Sequence, residues 1–291
     1  MLGVVGHVAI DIIRRGSRSW KSPGGAPTYC SFYLRQMGFD VLPISMAGRD
    51  FSEYLTQYVE RGIPTHRIKI LNGCGTTSYE ITYLSNDRRV LRLLSRCRDF
   101  MQEDLNDLPS VVAVNPIARE VSIEVLNYIR RQVRVLGVDL QGFTRVFDKD
   151  GYVSTAVKVD DLIKVLEIAD LLKISVDDAD VQVLNSIIER FPNKVVLITM
   201  GSRGSIMIYG NRRVQVVTGG IVDAKDPTGA GDVLTCLMTY LVGRGEDLVW
   251  SFVYSNAVAV AKTLGEGPYG SISRDLVESI VNKLYSRLTT A

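Results

Sequence analysis

Small residues surround an aspartate in the stretch DPTGAGDVLTCLM, residues 226–238. Gly229, Ala230 and Gly231 stand where a loop turns into an apolar helix, so their backbone N–H groups can approach a ligand closely. Such N–H groups have no partner within the helix, and the helix dipole favours negative charge at this end. Asp232 follows directly and lies within reach of whatever these groups bind.

Phosphoryl transfer is the chemistry that suits this arrangement. The N–H groups would stabilise the charge of the moving phosphoryl group, and a neighbouring carboxylate can take the proton of an attacking hydroxyl. Two other interpretations stay open: a glycine-rich turn with a capping aspartate, and a nucleotide- or polyol-binding protein without catalysis. No Gly-x-x-x-x-Gly-Lys-Ser/Thr loop occurs, and residues 3–6 lack the Gly-x-Gly-x-x-Gly of a dinucleotide-binding oxidoreductase.

Strands and helices alternate along the rest of the chain. Apolar runs predict strands at 2–5, 41–46, 111–115, 137–140, 170–174 and 195–199. Helical spacing predicts helices at 26–38, 51–62, 123–136, 162–169, 176–191, 229–242, 248–264 and 274–287. This order predicts βαβ units and a mostly parallel sheet. Residues 76–94 instead predict a β-hairpin, turning at 85–88, that could form a lid.

Composition excludes several classes of partner. The chain has 291 residues, 46% of them hydrophobic, and a net charge of only +2, which indicates neither nucleic-acid nor membrane-surface binding. No apolar run reaches the ~18 residues of a membrane span, and the N-terminus resembles a strand more than a secretory leader. The four cysteines lack CxxC or metal-ligand spacing, which fits a reducing compartment. We therefore expect a cytoplasmic protein.

The stretch 226–232 resembles the signature of the ribokinase-like, or PfkB, carbohydrate kinases. Other segments resemble this family in the same order: Gly-x-x-x-x-Asp at 6–11, the di-glycine at 24–25, Gly-x-Asp at 48–50, Thr-x-Gly-x-x-Gly at 199–204, and Ser-Asn-Ala at 255–257. The resemblance implies a three-layer α/β sandwich with a mostly parallel central sheet. It also implies one domain, 1–291, with a small β lid formed by insertions at about 11–22 and 76–98.

The resemblance assigns residues to roles. It implies ATP and Mg²⁺ as cofactors, Asp232 as the general base, and 229–231 as the anion hole. Substrate contacts would fall on Asp11, Gly24 and Gly25. Nucleotide contacts would fall on Thr199, Gly201, Gly204 and Asn256. The family's Asn-x-x-Glu metal motif is replaced by Ser-Val-Asp-Asp at 175–178, so Asp178 is the residue expected to take the place of the Glu.

A closer resemblance, to archaeal myo-inositol kinases, lies in the segments 24–29, 79–84, 115–121 and 138–143. It implies phosphorylation of one hydroxyl of a cyclic polyol, with further contacts from Tyr29, Gln141 and Arg145. Tyr29 occupies the position where ribokinases proper have an Asn, which argues against ribose. A nucleoside or another sugar remains an alternative acceptor. The sequence leaves open a monovalent cation requirement and the choice between monomer and homodimer.

Two further features have both a structural and a functional interpretation. Asn115-Pro116 is a common turn dipeptide as well as part of the resemblance. The arginines at 88, 89, 92, 96 and 98 suit a solvated face of the hairpin, or one of them closes over phosphate oxygens.

Overall fold

The structure is a computed structural model that describes residues 1–84, 89–176 and 186–290. Its strands are β1 (Leu2–Val5), β2 (Ala9–Arg15), β3 (Arg18–Gly24), β4 (Val41–Gly48), β5 (Ile68–Leu71), β6 (Thr77–Tyr83), β7 (Arg89–Ser95), β8 (Val111–Val114), β9 (Val135–Asp139), β10 (Arg145–Phe147), β11 (Val153–Thr155), β12 (Leu171–Ser175), β13 (Val195–Thr199), β14 (Ser205–Tyr209), β15 (Arg212–Val216) and β16 (Thr289–Thr290). Its helices are α1 (Ala26–Gln36), α2 (Ser52–Glu60), α3 (Ile123–Arg130), α4 (Gln141–Thr144), α5 (Val159–Ile168), α6 (Ala230–Arg244), α7 (Leu248–Lys262) and α8 (Arg274–Tyr285).

A central sheet runs in the order β16-β15-β14-β13-β12-β9-β8-β1-β4-β5. The strands from β13 to β5 are parallel, and β14 to β16 add an antiparallel edge. Successive residues face opposite sides, so Leu171 packs in the core under α1 and α6–α8, and Leu172 in the core under α3 and α5. The predicted three-layer α/β sandwich with a mostly parallel sheet is confirmed.

A smaller sheet, called the lid sheet below, has the order β3-β2-β6-β7. The predicted hairpin is present, because β6 and β7 pair antiparallel, and its turn at 85–88 lies outside the described residues. The hairpin is not isolated: β6 also pairs in parallel with β2, whose partner on the other side is β3. The lid sheet therefore joins the first residues of the chain to the segment after β5.

Some predicted boundaries were wrong. The helix predicted at 123–136 ends at Arg130, and β9 already begins at Val135. The apolar pattern continues across this junction because Val133 and Leu136 are buried in the same core as the helix. The strands β14 and β15 were not predicted, and most of the helix predicted at 176–191 lies outside the described residues. No helix in the described parts of the chain has the length and apolarity to span a membrane.

The cysteines form two disulfide-bonded pairs. Cys30 in α1 pairs with Cys236 in α6, with their Cα atoms 6.3 Å apart. Cys74 after β5 pairs with Cys97 after β7, at 5.2 Å. Both separations lie in the usual range for disulfides. The scatter of the cysteines along the chain is therefore no argument for a reducing compartment.

A buried glutamate fixes the junction between the lid sheet and the central sheet. The Glu120 carboxylate accepts hydrogen bonds from the backbone N–H groups of His7, Ile117 and Ala118. The carbonyl of Ile117 in turn accepts hydrogen bonds from the Arg145 guanidinium and the Tyr79 hydroxyl. Because a carboxylate buried without such donors would be costly, Glu120 sets the position of this loop beside the lid sheet.

Candidate active site

A pocket opens between the lid sheet and the ends of the central strands. Its lining contains acidic, basic and apolar side chains from both sheets: Asp11, Gly25, Tyr29, Tyr79, Ile81, Arg89, Leu91, Ile117, Gln141, Arg145, Thr228, Gly229 and Asp232. A separate open groove between α3 and α5 shares none of these residues. The pocket thus brings together Asp11, Gly25, Tyr29, Gln141, Arg145, Gly229 and Asp232 from the predicted set.

Asp232 stands in the first turn of α6, at the inner end of the pocket. Burial and the charge of Asp139 raise the pKa of its carboxyl to about 6, with Lys173 acting in the opposite direction. The side chain of Asn115 donates a hydrogen bond to Asp232 Oδ1 at 3.3 Å. A carboxylate with a pKa this close to neutrality can both accept and release a proton near pH 7. Of the two interpretations of Asn115, this contact favours the functional one.

The N-terminus of α6 carries backbone N–H groups without acceptors. Within the described residues, no acceptor binds the N–H of Gly229, Gly231 or Asp232. The N–H of Ala230 differs, because it donates to the carbonyl of Pro227 at 3.1 Å. Gly229 has φ +78°, and a Cβ there would lie 2.3 Å from the Tyr29 ring, so glycine alone fits without strain. The free N–H groups make this helix end able to bind an anion.

Asp11 lies in β2 on the lid side of the pocket. Its side chain packs on the backbone of Gly24, where a Cβ would come within 2.0 Å of Asp11 Oδ2. Among the described residues no hydrogen bond reaches its carboxylate, and burial raises its pKa to about 7 despite the charges of Arg145 and Arg89. Gly25 caps α1 with φ +81°, and a Cβ there would lie 2.2 Å from the carbonyl of His7.

Aromatic and polar side chains form the remaining walls. The ring of Tyr29 lies against Gly229 and below the ammonium group of Lys262, at 5.3 Å. Gln141 begins α4, and its N–H donates to Asp139. Arg145 stacks at 5.3 Å from the Tyr79 ring centroid. The walls therefore combine apolar surface with donors and acceptors, as small-molecule sites do.

The lid sheet touches the segment before α6 directly. Tyr83 donates a hydrogen bond to Asp226 Oδ1 at 2.9 Å and lies 2.7 Å from the Thr228 hydroxyl. Arg89 donates to the same hydroxyl at 2.9 Å. Of the arginines offered for phosphate contact, Arg88 lies outside the described residues, and among the described ones Arg89 lines the pocket. Arg96 instead binds the carbonyls of Ala118 and nearby residues.

The predicted nucleotide residues lie elsewhere. Thr199 ends β13, and Gly201 and Gly204 form the tight turn after it. Asn256 is buried in α7, where its carbonyl oxygen accepts from Ser205 and its amide donates to Phe252 O. Since both ends of the Asn256 amide are bonded inside the protein, this side chain does not line the pocket.

The expected metal site falls outside what the structure describes. Asp178 lies in the undescribed segment 177–185. Across the described residues, no group of three His, Cys, Asp or Glu side chains is arranged to hold a metal ion. The described side chains alone therefore do not form a Mg²⁺ site, and no step below is routed through a metal.

Sequence reasoning missed a buried ion pair below the pocket. Lys173 in β12 and Asp139 at the end of β9 stand side by side on adjacent parallel strands. The Lys173 Nζ lies 3.2 Å from Asp139 Oδ2, and both side chains are almost fully buried. The signal in the sequence was a single charge inside the apolar run LLKI at 171–174.

Comparison with known proteins decides the family. The profile of the pfkB family carbohydrate kinases matches residues 1–274. The chain belongs to the PfkB family. As a PfkB kinase, it is a phosphotransferase whose acceptor is an alcohol group. No curated protein matches the sequence.

Solved structures share the PfkB fold at low identity. A pyrophosphate-dependent kinase in the ribokinase family, complexed with a pyrophosphate analog and myo-inositol, is 24% identical with a TM-score of 0.80, covering 96% of this chain and 100% of that one. A Burkholderia thailandensis nucleoside kinase in complex with inosine is 15% identical with a TM-score of 0.81, covering 98% of each chain. A fructokinase from Vibrio cholerae O395, bound to fructose, ADP and calcium, is 14% identical with a TM-score of 0.78, covering 96% of this chain and 98% of that one.

Proposed function

We propose that this PfkB kinase phosphorylates one hydroxyl of a small cyclic polyol, with myo-inositol as the first candidate, and that Asp232 is its general base. The observation that carries the proposal is the pairing within one pocket of Asp232, beside unbonded backbone N–H groups, with Asp11, a buried carboxylate without a hydrogen-bond donor among the described residues. The N–H groups beside Asp232 suit a phosphoryl group, and the carboxylate of Asp11 suits the hydroxyl groups of an acceptor.

The reaction is an in-line displacement at phosphorus. The acceptor oxygen forms a bond to the terminal phosphorus of the donor, and the bond from that phosphorus to the bridging oxygen breaks. The acceptor's proton passes to the carboxylate of Asp232, and the leaving phosphate keeps the electron pair. The N–H groups of Gly229, Gly231 and Asp232 donate to the moving phosphoryl group. The lid sheet, made by insertions into a single domain, would exclude water that competes as acceptor.

The lining of the pocket supports a polyol as acceptor. Asp11 can accept two hydroxyl protons, Gln141 can donate and accept, and Arg145 can donate. Tyr29 provides an apolar wall. A site whose buried polar groups each need a hydroxyl discriminates against acceptors that lack one of them. The myo-inositol bound to the pyrophosphate-dependent kinase of similar fold supports the same acceptor class.

The donor is ATP with Mg²⁺ in this proposal, and pyrophosphate is the second candidate. One observation favours testing pyrophosphate: the Asn256 amide, expected beside the adenine, is turned inward and bonded to Ser205 and Phe252. Several kinases of similar fold are described as pyrophosphate-dependent.

Phosphoryl transfer can be measured directly with both donors. The protein is incubated with ATP or pyrophosphate, with magnesium, and with myo-inositol, ribose, fructose, adenosine or cytidine in turn, and phosphorylated products are followed by ³¹P NMR. Asp232→Asn is compared with Asp275→Asn, which removes an exposed aspartate from the first turn of another helix, α8. We expect transfer to myo-inositol, lost in Asp232→Asn and retained in Asp275→Asn.

Other outcomes would overturn parts of the proposal separately. Transfer to adenosine or cytidine alone would establish a nucleoside kinase and contradict the polyol assignment. Transfer that persists in Asp232→Asn would contradict the assignment of the base. Binding of a donor without transfer to any acceptor would favour a binding protein that lacks catalysis.

A further inference from the structure

The lysine buried below the pocket lies against the end of α6 that carries the free N–H groups. Lys173 stands on the face of β12 that α6 covers, two residues after the core residue Leu171. A Cβ added to Gly231 would lie 3.2 Å from Lys173 Nζ and 3.4 Å from its Cε. The ammonium group therefore packs close to the backbone of Gly231, and a Cβ there would press against it.

Asp139 holds that ammonium group in place. Both carboxylate oxygens of Asp139 lie within hydrogen-bond distance of Lys173 Nζ, at 3.2 and 3.3 Å. The exposed fractions of the two side chains are 6% and 2%, so water contributes little to their solvation. A buried ion pair of this kind often adds no net stability compared with apolar residues of the same shape. Its presence beside the pocket therefore calls for a role other than stability.

Fixed positive charge beside free N–H groups has an evident use in phosphoryl transfer. Charge on the oxygens of the moving phosphoryl group is stabilised most by groups that are held in place in a dry site. Asp232 and Asp139 bring two carboxylates to this region, and Lys173 is the cation between them and the helix end.

We propose that Lys173 is a catalytic residue whose ammonium group contacts the transferred phosphoryl group at the N-terminus of α6, with Asp139 as its positioning residue. The inference rests on the proposed phosphoryl transfer and adds one group to it. Lys173 neutralises the phosphoryl oxygens, the N–H groups of Gly231 and Asp232 orient them, and the Asp232 carboxylate takes the acceptor's proton.

The decisive variant is the double change Lys173→Met/Asp139→Asn. It replaces the Lys173–Asp139 ion pair by neutral side chains of similar shape, and the amide oxygen introduced by Asp139→Asn can still accept the Gln141 N–H. The matched control is Arg130→Met/Asp170→Asn, which neutralises an ion pair at the opposite end of the same strand, directly before Leu171. Circular dichroism and thermal unfolding verify that both double variants are folded.

We expect the Lys173→Met/Asp139→Asn variant to lose about 100-fold or more in kcat, as when a donor to a developing oxyanion is removed, with little change in the acceptor KM. The control should keep the wild-type kcat. A kcat of the Lys173→Met/Asp139→Asn variant close to wild type would overturn the proposal, because Lys173 would then serve only to balance Asp139.

The pH profile separates contact with the phosphoryl group from an effect on the base. The charged or polar groups that act on Asp232 come from several elements: Asp139, Lys173, Asn115, Arg145, Asp11, Lys262 and Tyr29. Asp139 raises the pKa of Asp232 and Lys173 lowers it. The double change removes both effects, and because they have opposite signs they offset each other in the pKa of Asp232. We expect the loss of kcat to persist from pH 6 to pH 9. Recovery of kcat at high pH would overturn the proposal.

Binding of inorganic pyrophosphate, measured by calorimetry, tests Lys173 without turnover. We expect the Lys173→Met/Asp139→Asn variant to bind pyrophosphate at least about tenfold more weakly than wild type, since a charge-assisted contact is lost. Equal affinities would contradict the proposal, and for a wild type that binds ATP but no pyrophosphate the same comparison is made with ATP. A wild type that binds pyrophosphate but phosphorylates no acceptor would contradict the proposed function and leave the binding comparison to decide about Lys173.

Discussion

Replacing the unbonded carboxylate of the pocket should stabilise the protein while it impairs activity. Burial raises the pKa of Asp11 from 3.8 to about 7. At about 1.4 kcal/mol for each pH unit between these values, keeping Asp11 ionised costs the folded state on the order of 4 kcal/mol above pH 7. Asp11→Asn preserves the shape of the side chain and removes this cost.

The size of this stabilisation depends on pH. Below pH 3.8 the carboxyl is neutral in both the folded and the unfolded state, so Asp11→Asn should change stability little there. Between pH 3.8 and about 7 the Asp11 carboxyl is ionised in the unfolded wild type but protonated in the folded one. The free energy of unfolding of the wild type therefore falls as pH rises through this range, and that of the variant does not. The difference in the free energy of unfolding should therefore grow from pH 4 to pH 7 and stay constant above.

Urea unfolding and thermal unfolding at pH 4 to pH 8 measure this difference. For 291 residues at ~2 cal/mol/K of unfolding entropy each, the variant should melt about 7 °C higher near pH 8. Asp40→Asn, at an exposed ion pair with Arg35, is the control and should change stability by less than about 0.5 kcal/mol. Equal stability of Asp11→Asn and wild type at pH 8, or the same gain at pH 4, would refute the reasoning.

Further predictions concern catalysis, the helix end, the roof of the pocket and the lid. Activity should rise with pH through about 6 as Asp232 ionises, and Asp232→Asn should lower kcat by roughly 100-fold or more without that pH dependence. Gly229→Ala should lower the melting temperature and the affinity for the donor, because its Cβ would overlap a tyrosine ring at 2.3 Å. Ile81 and Leu91 face each other on the lid sheet above the pocket, so Ile81→Asn/Leu91→Ser should change which inositol phosphate isomer forms, as resolved by NMR. Tyr83→Phe, which removes the hydrogen bond to the segment before α6, should raise the KM for the donor by less than about tenfold, and an unchanged KM would contradict a role in lid closure.

The sequence predicted the architecture well because periodicity and order carry that information. Buried strands such as Val195–Thr199 are apolar up to their last residue, and α6 follows a run of small residues that marks its start. The same local pattern placed Gly229 and Asp232 together. Asp11 and Gly24 could be predicted only through the family resemblance, because they meet Asp232 through the packing of two sheets.

The remaining parts of the site depend on side-chain directions that sequence spacing does not determine. Asn256 stays a predicted nucleotide contact, and the sequence did not indicate that its amide is hydrogen-bonded to Ser205 and Phe252. Lys173 looked like an isolated charge in a strand until the register of β12 and β9 placed it beside Asp139. Arg89 and Arg92 lie on opposite faces of β7, and spacing alone does not tell which of these faces lines the pocket.

The two disulfides divide the pocket into a part that can move and a part that cannot. The link from Cys30 to Cys236 ties the helix that carries Tyr29 to the helix that carries Asp232. These two walls then form one rigid frame, so a substrate has to enter from the side of the lid sheet. The link from Cys74 to Cys97 pins the base of that sheet to the segment after β5. The two covalent links therefore tie together the helices that carry Tyr29 and Asp232, and separately fasten one end of the lid sheet.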